Sequence, residues 1–315
     1  MRIVHLLALS LALGLTCHAE FRAGAVALDV SPKQFPVLVN GGMTSRSATG
    51  VTDPIYAKAL VLADGKTEIA IVVVDSCMMP RPMLDEAKAL ATKRTGIPSD
   101  RILISATHTH TAPSTLGCLG TKADPRYTPY LKGKIAEAIA AAQQKLQPAQ
   151  AGWNKVNAAE FTALRRWVRR PDRIANDPFG NPTVRANMHA GRNWDDVTGE
   201  SGPEDPDLTL ISIQDLKGKP LAILANFSMH YFSGHAGISA DYFGKYCNEM
   251  AERAGFKGSA CVIALCQGTS GDVWRADYRG TRKQSEIGIK QYVGALADLT
   301  EEAISKIKYH YSFKT

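Results

Sequence analysis

The chain has 315 residues, 37 Lys and Arg against 30 Asp and Glu, and a formal net charge of +7. With 45% hydrophobic and 21% charged residues it is no disordered chain, and it is long enough for a core that buries roughly three quarters of its surface. Residues 1–19 weigh against nucleic acid as a partner of this basic chain, because they carry an export signal. Arg2 precedes an apolar run over residues 6–15, and Cys17 and Ala19 put small residues at both cleavage-determining positions.

The run is too short to span a bilayer as a helix, and no later window is long and charge-free enough to do so. A soluble, secreted or periplasmic chain beginning near Glu20 is therefore expected, with one large domain or two small ones. Beyond Cys17 stand Cys77, Cys118, Cys247, Cys261 and Cys266, an odd number without CxxC spacing, so no disulfide framework is implied. Cys261 and Cys266 flank an apolar run and read as small buried hydrophobes.

Short apolar strands alternate with amphipathic helices along the chain. Residues 25–30 read as a strand, and 57–62 and 69–74 as a hairpin around Asp64-Gly65. Residues 82–94 form a helix, with Pro82 early and Gly96 just past its end. Residues 102–106 are a strand, and 130–146 a helix with Leu131, Ile135, Ile139 and Ala142 on one stripe. Residues 153–188 and 191–206 read as a long irregular excursion, more often a binding loop than a linker. Within it, Arg165, Arg166, Arg169, Arg170 and Arg173 form a basic cluster, expected as a solvated or salt-bridged face near a substrate entrance or as contact with an anionic surface. Strands at 208–214 and 221–227 pair around Gly218; 241–254 is helical, 260–265 is a strand, and 287–307 is an amphipathic helical segment.

Four apolar strands thus end in polar residues: Asp75, the run Thr107-His108-Thr109-His110-Thr111, His230, and the loop from Gly268 to Asp272. Ligand sites gather at carboxyl ends of strands in sheet-and-helix folds, so convergence in one pocket is expected. Residues i and i+2 of a strand share a face, so His108 and His110 meet in one cavity if extended geometry persists through Thr109. The spacing suits a metal ligand beside a second ligand or proton donor, or two polar loop histidines. Asp75 is also read as a cap, Asp272 as a turn residue, and Ser270 and Thr269 as hydroxyls bonded to their own loop.

As an ordered set these segments resemble the neutral/alkaline (non-lysosomal) ceramidase family, among exported bacterial ceramidase-like proteins. Residues 104–113, Ile-Ser-Ala-Thr-His-Thr-His-Thr-Ala-Pro, are close to that family's ATHTHSGP signature, and Asn226-Phe227-Ser228-Met229-His230 is similar to its second motif. Residues 53–60, 202–207 and 239–242 follow in family order. The resemblance implies an α/β fold, a mixed β-sheet flanked by helices, with residues 20–315 matching the family's N-terminal catalytic domain. It implies Zn2+ bound by His108 and His230, with His110 beside the substrate amide as hydrogen-bond or proton donor. Ser270 and Asp272 are further catalytic candidates. The implied activity is hydrolysis of an amide, such as N-acyl sphingosine or a related N-acyl lipid, by a zinc-activated water, with peripheral membrane contact. Two features depart from the pattern. Trp274 stands where the family carries a serine, and the downstream Glu and Tyr that complete its zinc site find no match before Thr315. An incomplete domain is therefore expected, with His235, Asp75 or Asp241 as substitute ligands. The alternative expectation is a non-catalytic or truncated relative that binds lipid or glycan.

Overall fold

A computed structural model describes residues 21–232, 235–253, 255–281 and 287–311; the expected export signal lies outside them. Alternating apolar residues build β1 (Arg22–Asp29), β2 (Tyr56–Ala63), β3 (Glu68–Val74) and β4 (Ile102–Ala106). Ala57, Ala59 and Val61 of β2 and Ala70, Val72 and Val74 of β3 point to one face and are fully buried. The β2–β3 hairpin turns at Asp64-Gly65 as expected, with Gly65 at φ 84°. Helix α1 (Arg81–Thr95) follows, burying Met83, Ala87 and Ala91 at helical spacing; it ends as the Gly96 amide, in left-handed geometry, donates to the Thr92 carbonyl. Helix α2 (Tyr127–Gln143) starts and stops three residues before the expected span, because Asp124 accepts the Arg126 and Tyr127 amides at its entry.

The next strand corrects the expectation of irregular chain from residue 153. β5 (Gln147–Asn157) continues through Trp153 and pairs along its whole length, although alternate residues such as Trp153 and Lys155 are polar or solvent-facing. The excursion proper holds a small three-stranded sheet of β6 (Arg166–Arg169), β7 (Ala186–Met188) and β8 (Val197–Glu200), ordered β7-β6-β8. β9 (Asp207–Asp215), β10 (Pro220–Phe227), helix α3 (Asp241–Ala251), β11 (Val262–Gln267) and helix α4 (Ile289–Ser305) complete the chain.

The eight main strands run in the order β11-β10-β9-β5-β1-β2-β3-β4. Only the outermost pairs, β10/β11 and β3/β4, are parallel, each joined by a helical crossover through α3 or α1. β1 meets β5 through just two residue pairs, and β11 lies against β1 to β4, so the sheet folds over into two stacked halves. Helices α1 and α2 cover one outer face; α3 and α4 cover the other. Phe21, Ala23, Leu60, Ala149 and Ile213 pack between the halves. Folding over brings the carboxyl ends of both parallel pairs together, as the contact of Cys266 on β11 with Ser105 on β4 records.

Candidate metal centre

His108 and His110 leave β4 inside the threonine run, and the threonines explain how they project. Thr107, Thr109 and Thr111 are buried, and the hydroxyls of Thr109 and Thr111 both donate to the Ser239 carbonyl at 2.9 Å, so the intervening rings turn the other way. The backbone is not extended throughout, because His108 sits at φ 68°. The two rings still meet, with centroids 4.7 Å apart, which corrects the condition that convergence needs continuous extended geometry. His230, three residues beyond β10, joins them at centroid distances of 4.7 Å from His108 and 5.2 Å from His110. Imidazoles sharing a tetrahedral zinc through nitrogens at about 2.0–2.1 Å have centroids about 5 Å apart, a spacing these rings approach, while the group whose donor atoms all lie within 4.8 Å of one another is Cys77, His108 and His110, without His230.

Main-chain carbonyls orient these rings. Nδ1 of His108 donates to the Cys77 carbonyl at 2.8 Å, and Nδ1 of His230 to the Ser270 carbonyl at 3.0 Å. The His110 ring is hydrogen-bonded to the main chain of Gly41. In His108 and His230 the bond commits Nδ1 and leaves Nε2 as a lone pair, the arrangement that outer groups impose on metal-binding histidines. Nε2 of His108 and Nε2 of His110 then face each other at 3.1 Å. One neutral tautomer donating to the other ring, or a cation between the two rings, accounts for that approach. A charged ring is disfavoured: burial, and then the charge of His108, push His110 down to about 3, while burial, and then Arg165, do the same for His230. Burial also lowers His108. A divalent cation fits the donor set.

Cys77 belongs to the same neighbourhood: it, His108 and His110 offer donor atoms all within 4.8 Å of one another. Its thiol lies 3.9 Å from Nδ1 of His108, behind the ring and away from the Nε2 lone pair, and burial pushes it up to about 12. The imidazoles are therefore the stronger donors. The other candidates are committed elsewhere. Asp75 accepts two bonds from the buried Lys58 ammonium at 3.0 and 2.9 Å and one from the Tyr56 amide. Asp241 accepts from the Phe232 amide at 2.9 Å, and its other oxygen lies 3.9 Å from His235. Ser270 is buried, with its carbonyl on His230 and its hydroxyl bonded by the Gln267 amide, so it positions a ring rather than presenting a free hydroxyl. The main-chain carbonyl of Asp272 accepts from the Arg165 amide at 2.8 Å.

Arg165 stands apart from the basic cluster in which sequence placed it. Arg169, Arg170 and Arg173 pair with Asp172 and Asp196 on the surface, as expected of a salt-bridged face. Arg165 is 8% exposed, donates through Nε and Nη2 to the Gly271 carbonyl, and has no ion pair to a carboxylate among the described residues. Its charge reaches all three histidines. The short ladder of Ala163-Leu164 with Val273-Trp274 places it there, with its guanidinium 5.7 Å from the Trp274 ring centre. Tyr231, also missed in the sequence, stacks on His110 at 3.7 Å and 18° and meets Trp274 edge-on at 5.1 Å. All five remaining cysteines are free, and Cys261 and Cys266 are only partly buried.

No family profile and no curated protein matches the chain. Solved structures do. A neutral ceramidase from Pseudomonas aeruginosa matches with a TM-score of 0.65 and 18% identity over 91% of this chain and 45% of its own. A ceramidase complexed with C2 matches with a TM-score of 0.67 and 19% identity over 91% and 44%. The chain thus spans under half the length of either, and it has the α/β fold of that part of the bacterial neutral ceramidases.

Proposed function

We propose that the chain is the metal-holding part of an exported, ceramidase-like hydrolase that cleaves an N-acyl amide, with zinc as its ion. The observation that carries this reading is the convergence of three imidazoles, two of them with tautomers set by main-chain carbonyls. His108 and His230 hold the ion, and His110 stands against it with Nε2 3.1 Å from Nε2 of His108. When bound, the ion supplies a Lewis acid for the carbonyl and a water acidified toward about pH 7. Neutral His110, whose ring resists carrying charge, would accept a hydrogen bond from the attacking water and orient it. Arg165, held beside the rings without a carboxylate partner, stabilises negative charge developing on the carbonyl oxygen. Ser270 positions His230, and Asp272 anchors Arg165 through its main chain. The fold suggests an N-acyl lipid as substrate. Phe179, 89% exposed at a loop tip ordered by Asp177, supports contact with a membrane surface, and residues 1–19 support a secreted or periplasmic location.

A second reading is a relative that binds lipid or glycan without turnover. It is favoured by the commitment of Asp75 and Asp241 to other partners, which leaves imidazoles and the protonated Cys77 thiol as the nearby donors. One experiment separates the two. Metal content of the purified protein is compared with that of His108→Ala and His230→Ala, and hydrolysis of a fluorogenic N-acyl sphingosine is followed with and without chelator. About one zinc per chain in the parent, less than a tenth of that in either variant, and chelator-sensitive turnover are expected. Equal metal in all three, or turnover indifferent to chelator, contradicts the proposal.

A further inference from the structure

The wall beside the histidines is aromatic and polar. Tyr231 stacks on His110, Trp274 stands 6.2 Å from His230 and 6.1 Å from His189, and Tyr278 hydrogen-bonds Nδ1 of His189. Trp194 extends the row, donating from its indole to the Tyr278 carbonyl at 3.0 Å while staying 49% exposed. Tyr231, Trp274, His189 and Tyr278 are each partly open. The row therefore offers flat faces and hydrogen-bonding edges together, with the Arg165 cation at its inner end.

Such a surface discriminates between amines. A hydrocarbon tail gains most from a continuous aliphatic lining and would strip water from the partly open Tyr231 phenol and Trp274 indole edges without offering them a partner, which costs affinity. A saturated sugar ring has an apolar C–H face that packs on an aromatic face, and hydroxyls at its rim that satisfy those edges. The markedly apolar groove of the molecule lies elsewhere. Its 320 Å³ between Leu62, Ile69, Trp153 and Ile213 open at the far end of β3, about 20 Å along that strand from Asp75.

We infer that the amine half of the amide is a sugar: the substrate class is an N-acylated amino sugar, whose ring packs on Trp274 and Tyr231 with its N-acyl carbonyl over the histidines. The inference rests on the proposed hydrolase reading for its chemistry but not for its binding surface. Water adds to the acyl carbon, the C–N bond breaks, and the products are a carboxylic acid and the free amino sugar, with the water proton on the nitrogen.

The test uses triacetylchitotriose as probe. Binding is followed by intrinsic tryptophan fluorescence with and without chelator, for the parent protein and for Trp274→Ala, Trp274→Phe and the exposed Trp194→Ala. Amine release is measured on the same sugar and on N-acyl sphingosine. Saturable sugar binding is expected, weakened at least tenfold in Trp274→Ala and Trp194→Ala and largely kept in Trp274→Phe, with chelator-sensitive release from the sugar. Failure of the parent to bind the sugar, or equal binding by all variants, overturns the inference. Chelator-sensitive turnover of N-acyl sphingosine without sugar binding overturns it while leaving the hydrolase reading standing. Tryptophan-dependent sugar binding with no turnover of either compound supports the surface and sinks the hydrolase reading.

Discussion

His108 lies in the left-handed region at φ 68°, a conformation that costs a non-glycine residue about 1–2 kcal/mol. The surrounding bonds hold it there: its amide donates to the Ser76 carbonyl at 2.9 Å and its ring to the Cys77 carbonyl. Strain maintained by neighbours at a ring that meets two others marks a site whose geometry matters more than local comfort. Gly41 has a matching role for His110. At φ 98° it packs so closely that an added Cβ would stand 2.6 Å from the His110 Cβ and Cγ. Gly41→Ala is expected to push the ring away and lower chelator-sensitive amide hydrolysis about 10–100-fold while leaving the fold intact, as turnover of the fluorogenic amide would show. Unchanged turnover would mean that His110 has no part in the reaction. The two histidines of the threonine run were visible in the sequence because alternation around a strand end is a local signal. Gly41, Tyr231 and Arg165 were not, since their partners stand 69, 121 and 65 positions from His110, His110 and His230 or come from another strand altogether.

At the level of elements, the site depends on where parallel strands stop. β3, β4, β10 and β11 all end beside it, and the apolar runs that define them were legible, as was the polar residue closing each. What the residues at those ends do was less legible. Asp75 looks like a ligand in sequence, yet Lys58, on the neighbouring strand and 5% exposed, neutralises it. Lys58→Ala leaves that carboxylate buried and unpaired, and a loss of about 3–5 kcal/mol is expected in chemical denaturation; a loss under 1 kcal/mol would contradict the pairing. Burial alone lowers the Lys58 ammonium, but the Asp75 carboxylate outweighs it and leaves the group raised above 10.5. A raised cation contributes stability in full below the unfolded value and loses it as pH climbs through the folded one. Stability attributable to the pair should therefore hold steady up to about pH 10 and fall only above it. The long polar excursion was misread at its start for a physical reason: β5 faces solvent along part of one side, so Trp153 and Lys155 alternate with residues that meet α4 and hide the strand period.

For the whole molecule, folding the sheet over is what turns two sequence-distant βαβ units into one site. The two-residue junction of β1 with β5 lets the halves stack, and no window of sequence announces it. An ion bridging His108 on one half and His230 on the other, as proposed, would clamp the stack, so its binding free energy would add to folding stability. At a hundredfold excess over its dissociation constant the ion would add about 2.7 kcal/mol, which corresponds to a fall in melting temperature of roughly 4–5 °C on chelation. Thermal unfolding of the parent and His230→Ala, with and without chelator, checks this: the shift should appear in the parent and vanish in the variant. The most direct measurement is anomalous diffraction at the zinc edge from crystals equilibrated with zinc. The account predicts one strong peak about 2.0–2.1 Å from Nε2 of both His108 and His230. A zinc-saturated crystal with no peak between those rings, or with the ion on other residues, would contradict it.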